Sequence, residues 1–435
     1  MRFKLPQRRR TRQLLVASVL LLIVGMWGAR PALVNYEIWR GRSALDSRDV
    51  KSAIVYFQQA EKFDPNRAET HFLLSRAYRK LGRLERVRHH IDRARQLGYD
   101  VDKLRREQWL ALAQAGQLAE AEPHLEQLLI DVGNDGAEIC EAFVSGFDLN
   151  HRIEEALQWT VPWIADYPND PQPHVRQGKI HAVTQRHKQA ERDFRRALEL
   201  DPDFSDAAYE LGEVLLTSNN PQSALQFFQR CRSGRIDTEK RLLAQIGEAQ
   251  CLKRLGDSNR AYESLAEVLK ANPDHPKALL EMGRLQTERG LHKDGLRYLR
   301  LAFGRNSGDV EVRYALAIAL RGTGKIEEAR SHFEYATKAR RALLQASQLR
   351  IEVAKNPSNV EARSKIGKIY LEYGLPESGI VWLQSVLNYQ PHHRATLQAL
   401  AEYYEKRAAE NPDFAKLAKQ YRRTAESVPA DKSGA

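Results

Sequence analysis

The sequence predicts an all-α, superhelical solenoid of helix pairs preceded by a single apolar N-terminal segment. Two observations carry that prediction: a motif that returns about every 34 residues, and one 16-residue stretch without a charge near the start of the chain. Gly41, Ala53, Phe57, Ala60 and Pro65 are spaced 12, 4, 3 and 5 residues apart. The same spacings recur at Gly178, Ala190, Phe194, Ala197 and Pro202, and in part at Gly212, Ala224, Phe228 and Cys231. A fixed period within 435 residues describes one array of small units better than several separate globules. Hydrophobic residues make up 42% and charged residues 29%, enough core material to exclude general disorder.

The N-terminus reads as a membrane signal. Leu14 to Ala29 carries no charge and follows the basic run Arg8, Arg9, Arg10 and Arg12. At a helical rise of about 1.5 Å per residue it reaches about 24 Å of a ~30 Å hydrocarbon layer, so Gln13 and the stems of Arg12 and Arg30 complete the crossing. Cleavage by a signal peptidase requires small residues one and three positions before the cut, and Trp27 or Met26 falls in the inner slot. The segment is therefore expected to stay as an anchor, with residues 1–12 as a basic cytoplasmic tail and 13–30 as the transmembrane signal-anchor. The excess of Arg and Lys before the span orients the rest of the chain outward. The expected location is the bacterial inner membrane, single-pass, with the repeats facing the periplasm.

That basic start also explains the net charge of +12: residues 1–30 hold seven Arg or Lys and no acid, so the other 405 residues are only +5. Without a concentrated basic face interleaved with aromatics, no nucleic-acid partner is expected. Cys140, Cys231 and Cys251 form no metal-binding spacing and read as small core residues. A Cys231–Cys251 bridge stays open as an option in an oxidising compartment.

Each unit reads as two amphipathic helices, since apolar residues recur three and four apart around a central Gly. Gly82, Gly116, Gly256, Gly290, Gly324 and Gly374 hold that mid-unit turn. Phe57, Phe194, Phe228 and Phe333 fill the space between units, and Pro65, Pro168, Pro202, Pro273, Pro357 and Pro391 stop the second helix. With Leu211-Gly212, Met282-Gly283, and Ile366-Gly367 followed by Tyr370 and Pro391, the sequence resembles the tetratricopeptide repeat (TPR) family, in a membrane-anchored bacterial form. The resemblance spans about Val34 to Ser427 and implies a solenoid of about 11 helix pairs over 34–427, with 428–435 as a disordered tail.

The departures from the period are expected to shape the array. Trp109 stands where the family has Gly, and Trp163 where it has a small Ala, so those units are expected to pack at altered angles. The phase slips by one residue between Gly41 and Gly178 and by three between Gly212 and Gly283, the latter near Arg232 to Lys240. Between Gly283 and Gly367 it slips by 16, within Lys338 to Lys355. This insert near 338–355 lacks Gly and Pro and is expected to extend one helix from about Ile326 to Ala354. The polar final pair, near Arg394 to Lys406 and Pro412 to Glu426, suits a cap.

No catalytic constellation emerges. His174, His181 and His187 lack the four-apart spacing that aims two ligands at one metal, and the pairs His89-His90 and His392-His393 point apart on a helix. No phosphate-binding or nucleophile-elbow motif occurs. The chain is therefore expected to be no enzyme, with no cofactor, metal or small-molecule substrate. The resemblance implies protein or peptide partners held in a groove lined by the first helix of each unit. That groove would include Phe72, Arg76, Arg79, Lys80, Lys103 and Arg106, then Glu138, Glu141 and Asp148, then Tyr209 and Glu213, with the basic group holding an acidic segment of a partner. The clamp with which some cytosolic relatives grip chaperone tails is incomplete, because Arg76 stands where an Asn belongs. The function expected is a membrane-tethered scaffold or assembly factor of the cell envelope. The alternatives are an import receptor on an organelle surface with cytosolic repeats, and a non-catalytic targeting subunit of an envelope enzyme complex.

Overall fold

Proline explains where most second helices stop. Asp64, Asp201, Asn272 and Asn356 each precede a proline and adopt extended backbone, with φ from −141° to −135° and ψ from 86° to 95°. The pyrrolidine ring bars the helical region to the residue before it, so the helix ends there. Starts are marked by acceptor side chains: Asp49, Asp100, Asp257, Asp309 and Asn359 each accept from a backbone N–H of the first turn.

The computed structural model describes residues 30–130, 135–233 and 237–428, and these form helices without any strand among the described residues. The apolar segment Leu14–Ala29, the basic tail before it and residues 429–435 lie outside the described residues. No helix among the described residues is long and apolar enough to cross a membrane. The helices alternate as hairpins, from the pair at 30–46 and Val50–Phe63 to the pair Arg394–Lys406 and Pro412–Ser427. The chain divides into two compact units, the first ending at Phe143 and the second starting at Val144.

One backbone device repeats through both units. A residue with positive φ sits in the turn between the two helices of a pair: Arg48, Gly82, Gly116, His151, Gln185, Asn219, Gly256, Gly290, Gly324 and Gly374. The N–H that follows reaches back to a carbonyl five residues earlier, as from Arg83 to Tyr78 (3.0 Å) and from Lys325 to Leu320 (2.9 Å). This is the Schellman closure, which favours glycine because the left-handed conformation crowds a Cβ. Six of these positions are the glycines that the sequence marks as turns; Arg48, His151, Gln185 and Asn219 do the same work without that signal.

The intervals between these residues locate the phase slips. Gly116 to His151 is 35 residues, and the boundary between units falls inside that interval. Asn219 to Gly256 is 37, and the helix Thr238–Arg254 has 17 residues where Ser205–Thr217 has 13. Gly324 to Gly374 is 50, and the helix Ile326–Lys355 has 30 residues where its counterpart His292–Arg305 has 14. The 16 extra residues are thus entirely helical, about 24 Å of added axis.

Trp109 has a visible effect on its unit. Its ring stacks on His124 at 4.3 Å. The second helix of that pair is broken into Leu118–Ala121, a 3-10 turn at Glu122–His124, and Leu125–Ile130. An indole in place of glycine leaves no room for a straight helix alongside, and Pro123 supplies the break. Trp163 is buried and its indole N–H donates to Asp170 at 3.0 Å.

Within the second unit the chain returns on itself. The His151 ring stacks on Trp382 with centroids 3.4 Å apart, Asn388 donates to the Asn150 side chain at 2.8 Å, and Arg350 donates to the Val183 carbonyl at 3.1 Å. Burial, with Arg363 and Arg350 nearby, pushes His151 down to about 3, so it packs as a neutral ring. In a plain solenoid each repeat touches only its neighbours, so these contacts mark a closure. Cys231 and Cys251 are buried and free, and burial pushes their thiols up to about 11 and about 12.

Candidate functional site

The sequence-marked cations of the first unit are drawn onto the unit's own carboxylates. Arg79, at the end of the helix Ala68–Lys80, has a fully buried guanidinium. Its Nε donates to Glu107 at 2.6 Å, Nη1 donates to Gln114 at 2.9 Å, and Nη2 donates to Glu138. Arg76 pairs with Glu138 at 2.8 Å, and Lys80 donates to Glu141 at 3.0 Å. Three successive first helices of the unit are thereby tied through one polar cluster. Burial works against the Glu138 carboxylate, but Arg79, Lys80 and Arg76 outweigh it and hold that carboxyl well below the usual range. Burial likewise opposes the Arg79 charge, and Glu107 and Glu138 reverse that and raise it.

Arg79, expected to face a partner, has its side chain wholly buried within this cluster. Phe72 is also engaged, stacked on Tyr99 at 4.7 Å. Arg106 donates to the Leu128 carbonyl at 3.3 Å, and Lys103 stays exposed beside Asp100. Asp148, Tyr209 and Glu213 lie in the second unit. Tyr209 packs edge-on against Phe228 at 6.0 Å, while Glu213 lies 3.7 Å from Lys277 with its carboxyl raised by burial. Of the histidines weighed as ligands, His181 instead pairs with Asp193 at 2.6 Å.

A site that the sequence reading passed over lies on the extended helix. Arg321, Ile326, Phe333, Lys338 and Arg341 line an open groove of 620 Å³ at its N-terminal half. Phe333 and Ala329 form an apolar floor, and Ile326 is 51% exposed. Arg321 lies 5.7 Å from the Phe333 ring centroid. Arg330 is paired with Glu327 at 3.0 Å, whereas Arg321, Lys338 and Arg341 make no ion pair among the described residues. Further along the same helix Leu344 and Ile351, seven apart, are 62% and 60% exposed. Glu334 is the one carboxylate of the lining; an apolar floor rimmed mainly by cations suits an acidic, amphipathic segment.

Comparison with known proteins agrees with the helical repeat. The tetratricopeptide repeat family model matches residues 40–101, 175–235 and 247–310, so these three stretches match tetratricopeptide repeats. No curated protein matches the sequence. Among solved structures, PilW, described as a widely conserved type IV pilus biogenesis factor, is 17% identical with a TM-score of 0.42, covering 45% of this chain and 90% of that one. PilF of Pseudomonas aeruginosa is 14% identical with a TM-score of 0.34, covering 57% and 100%. A monomeric mutant of IFIT1 is 15% identical with a TM-score of 0.41, covering 82% and 90%. At these identities and TM-scores none of them bears on what this chain binds.

Proposed function

We propose that this chain is a non-catalytic scaffold of the bacterial cell envelope that holds an acidic, amphipathic segment of a partner protein along the helix Ile326–Lys355. The observation that carries the reading is the groove in which Arg321, Lys338 and Arg341 stand around Phe333 with Glu334 as the one acidic residue of the lining, leaving it a net excess of positive charge. The cations of the first unit do not compete for that role, because Arg76, Arg79 and Lys80 are already met by Glu107, Glu138 and Glu141. Tetratricopeptide repeats give such a segment a rigid helical face, which lowers the ordering cost of binding.

The triple reversal Arg321→Glu, Lys338→Glu and Arg341→Glu is expected to weaken capture of an acidic amphipathic peptide by roughly tenfold or more, equivalent to ~1.4 kcal/mol. Binding of the unchanged protein should fall with added salt. Fluorescence anisotropy with the full chain measures both, and equal affinity of the two proteins would remove the groove from the proposal.

The tether rests on the uncharged run Leu14 to Ala29 and the arginines before it. A reporter active only in the cytoplasm, fused after Ala435, is expected to stay silent. An active fusion would place the repeats on the cytoplasmic side and remove the envelope location.

A further inference from the structure

We propose that Glu61, His71 and His90 form a binding site for a divalent transition-metal ion of the zinc class in the first unit. The three residues come from successive helices: Glu61 near the end of Val50–Phe63, His71 in Ala68–Lys80 and His90 in Leu84–Gln96. Nδ1 of His71 and Nδ1 of His90 face each other at 3.2 Å, and a Glu61 oxygen lies 3.6 Å from His71 Nδ1. All three donor atoms fall within 4.8 Å of one another. Two nitrogens bound at about 2.0–2.1 Å to one tetrahedral ion stand roughly 3.3–3.4 Å apart, close to the spacing of the two rings.

The tautomer supports the same reading. Nε2 of His71 lies 3.0 Å from the Pro65 carbonyl. A carbonyl only accepts, so Nε2 carries the hydrogen and the Nδ1 lone pair is aimed at His90. A metal-ligating imidazole is commonly fixed in this way, with its other nitrogen donating to a backbone carbonyl. Both rings are buried. Glu61 is 31% exposed, which gives an ion a path from solvent and one negative charge. Two imidazoles and a carboxylate favour zinc, cobalt or nickel over calcium and magnesium, which take oxygen donors. Three protein ligands leave a fourth position for water or an outside donor.

The competing arrangement is a proton shared between the two Nδ1 atoms, and titration separates them. The full chain, stripped with a chelator, is titrated with cobalt(II) and followed by the visible bands of the tetrahedral ion. One equivalent is expected to bind, to be displaced by zinc, and to raise the unfolding midpoint of the first unit as metal is added. His90→Phe keeps a ring against Tyr78, 5.3 Å away, and is expected to abolish the bands. Glu61→Gln, at a partly exposed position, is expected to weaken binding by roughly tenfold or more. The pair His174→Gln and His181→Gln should change nothing, and circular dichroism verifies that every variant is folded. Absence of a saturable tetrahedral spectrum, or a spectrum that survives both His90→Phe and Glu61→Gln, would overturn the proposal.

Discussion

Arg79→Met is expected to lower the stability of the first unit by about 3–5 kcal/mol, because it strands buried carboxylates. Glu107 is 3% exposed and has Arg79 as its closest cation, at 2.6 Å, and Glu138 loses one of its three. The loss is the cost of buried charge left without compensation, not the net worth of the ion pairs, so a second change tests it. Adding Glu107→Gln to Arg79→Met should restore part of the stability, since it removes the charge that the first change left stranded. Urea unfolding followed on the first unit reads both effects; a loss under 1 kcal/mol would mean that water already reaches the cluster.

The same cluster has a pH signature. Glu138 is depressed in the folded protein, so it contributes stability above its unfolded value and loses it as pH falls through the acidic range. Glu107 runs the other way, raised chiefly by burial, so its protonation at low pH recovers part of what Glu138 loses. Arg79→Met removes a main cause of the Glu138 depression and is expected to flatten the acid dependence of the first unit.

In the second unit, Phe228→Ala is expected to cost about 3–5 kcal/mol. The ring is fully buried and lies between two glycines: a Cβ on Gly212 would come 2.8 Å from it, and one on Gly247 2.6 Å. Removing the ring leaves a space bordered by two helix backbones, which cannot collapse as side chains would. The matched change is Gly212→Ala, expected to cost about 1–3 kcal/mol by overpacking even though alanine suits a helix better than glycine. In a Phe228→Ala background the clash is gone, and Gly212→Ala should become neutral or stabilising. A double-mutant cycle on the denaturant midpoint reads that coupling, and additivity within about 0.5 kcal/mol would refute it.

This pairing shows why so much of the fold was legible. Gly212 and Phe228 are 16 residues apart, as are Gly41 and Phe57, and Gly178 and Phe194, and in each pair the glycine meets the ring. Both partners belong to one hairpin, so packing inside the hairpin is written as a fixed spacing. Turn glycines are legible for the same local reason, while His151 and Gln185, which adopt the left-handed conformation without being glycine, are not. The long helix was readable as an insert without breakers, and it runs one residue past the expected end at Ala354.

The candidate sites were read less well, because they depend on partners in other hairpins. Arg76, Arg79 and Lys80 stand out as a basic run, yet Glu107 and Glu138 lie 28 and 59 residues from Arg79. His71 and His90 are 19 residues apart with nothing in the spacing to link them. Lys338 and Arg341 were noticed as parts of an insert, and only their position beside Phe333 and Arg321 makes them a groove.

The sequence by itself determined the all-α repeat, its 34-residue period, the turns and the places where the phase slips, since each follows from backbone and packing preferences within one hairpin. Tertiary structure alone decided which charges are spent internally and which remain at the surface. It also decided the contact of His151 with Trp382, 231 residues later, and the meeting of Glu61, His71 and His90. Those outcomes depend on how successive helix pairs rotate against one another, a geometry summed over many interfaces and encoded in no single period.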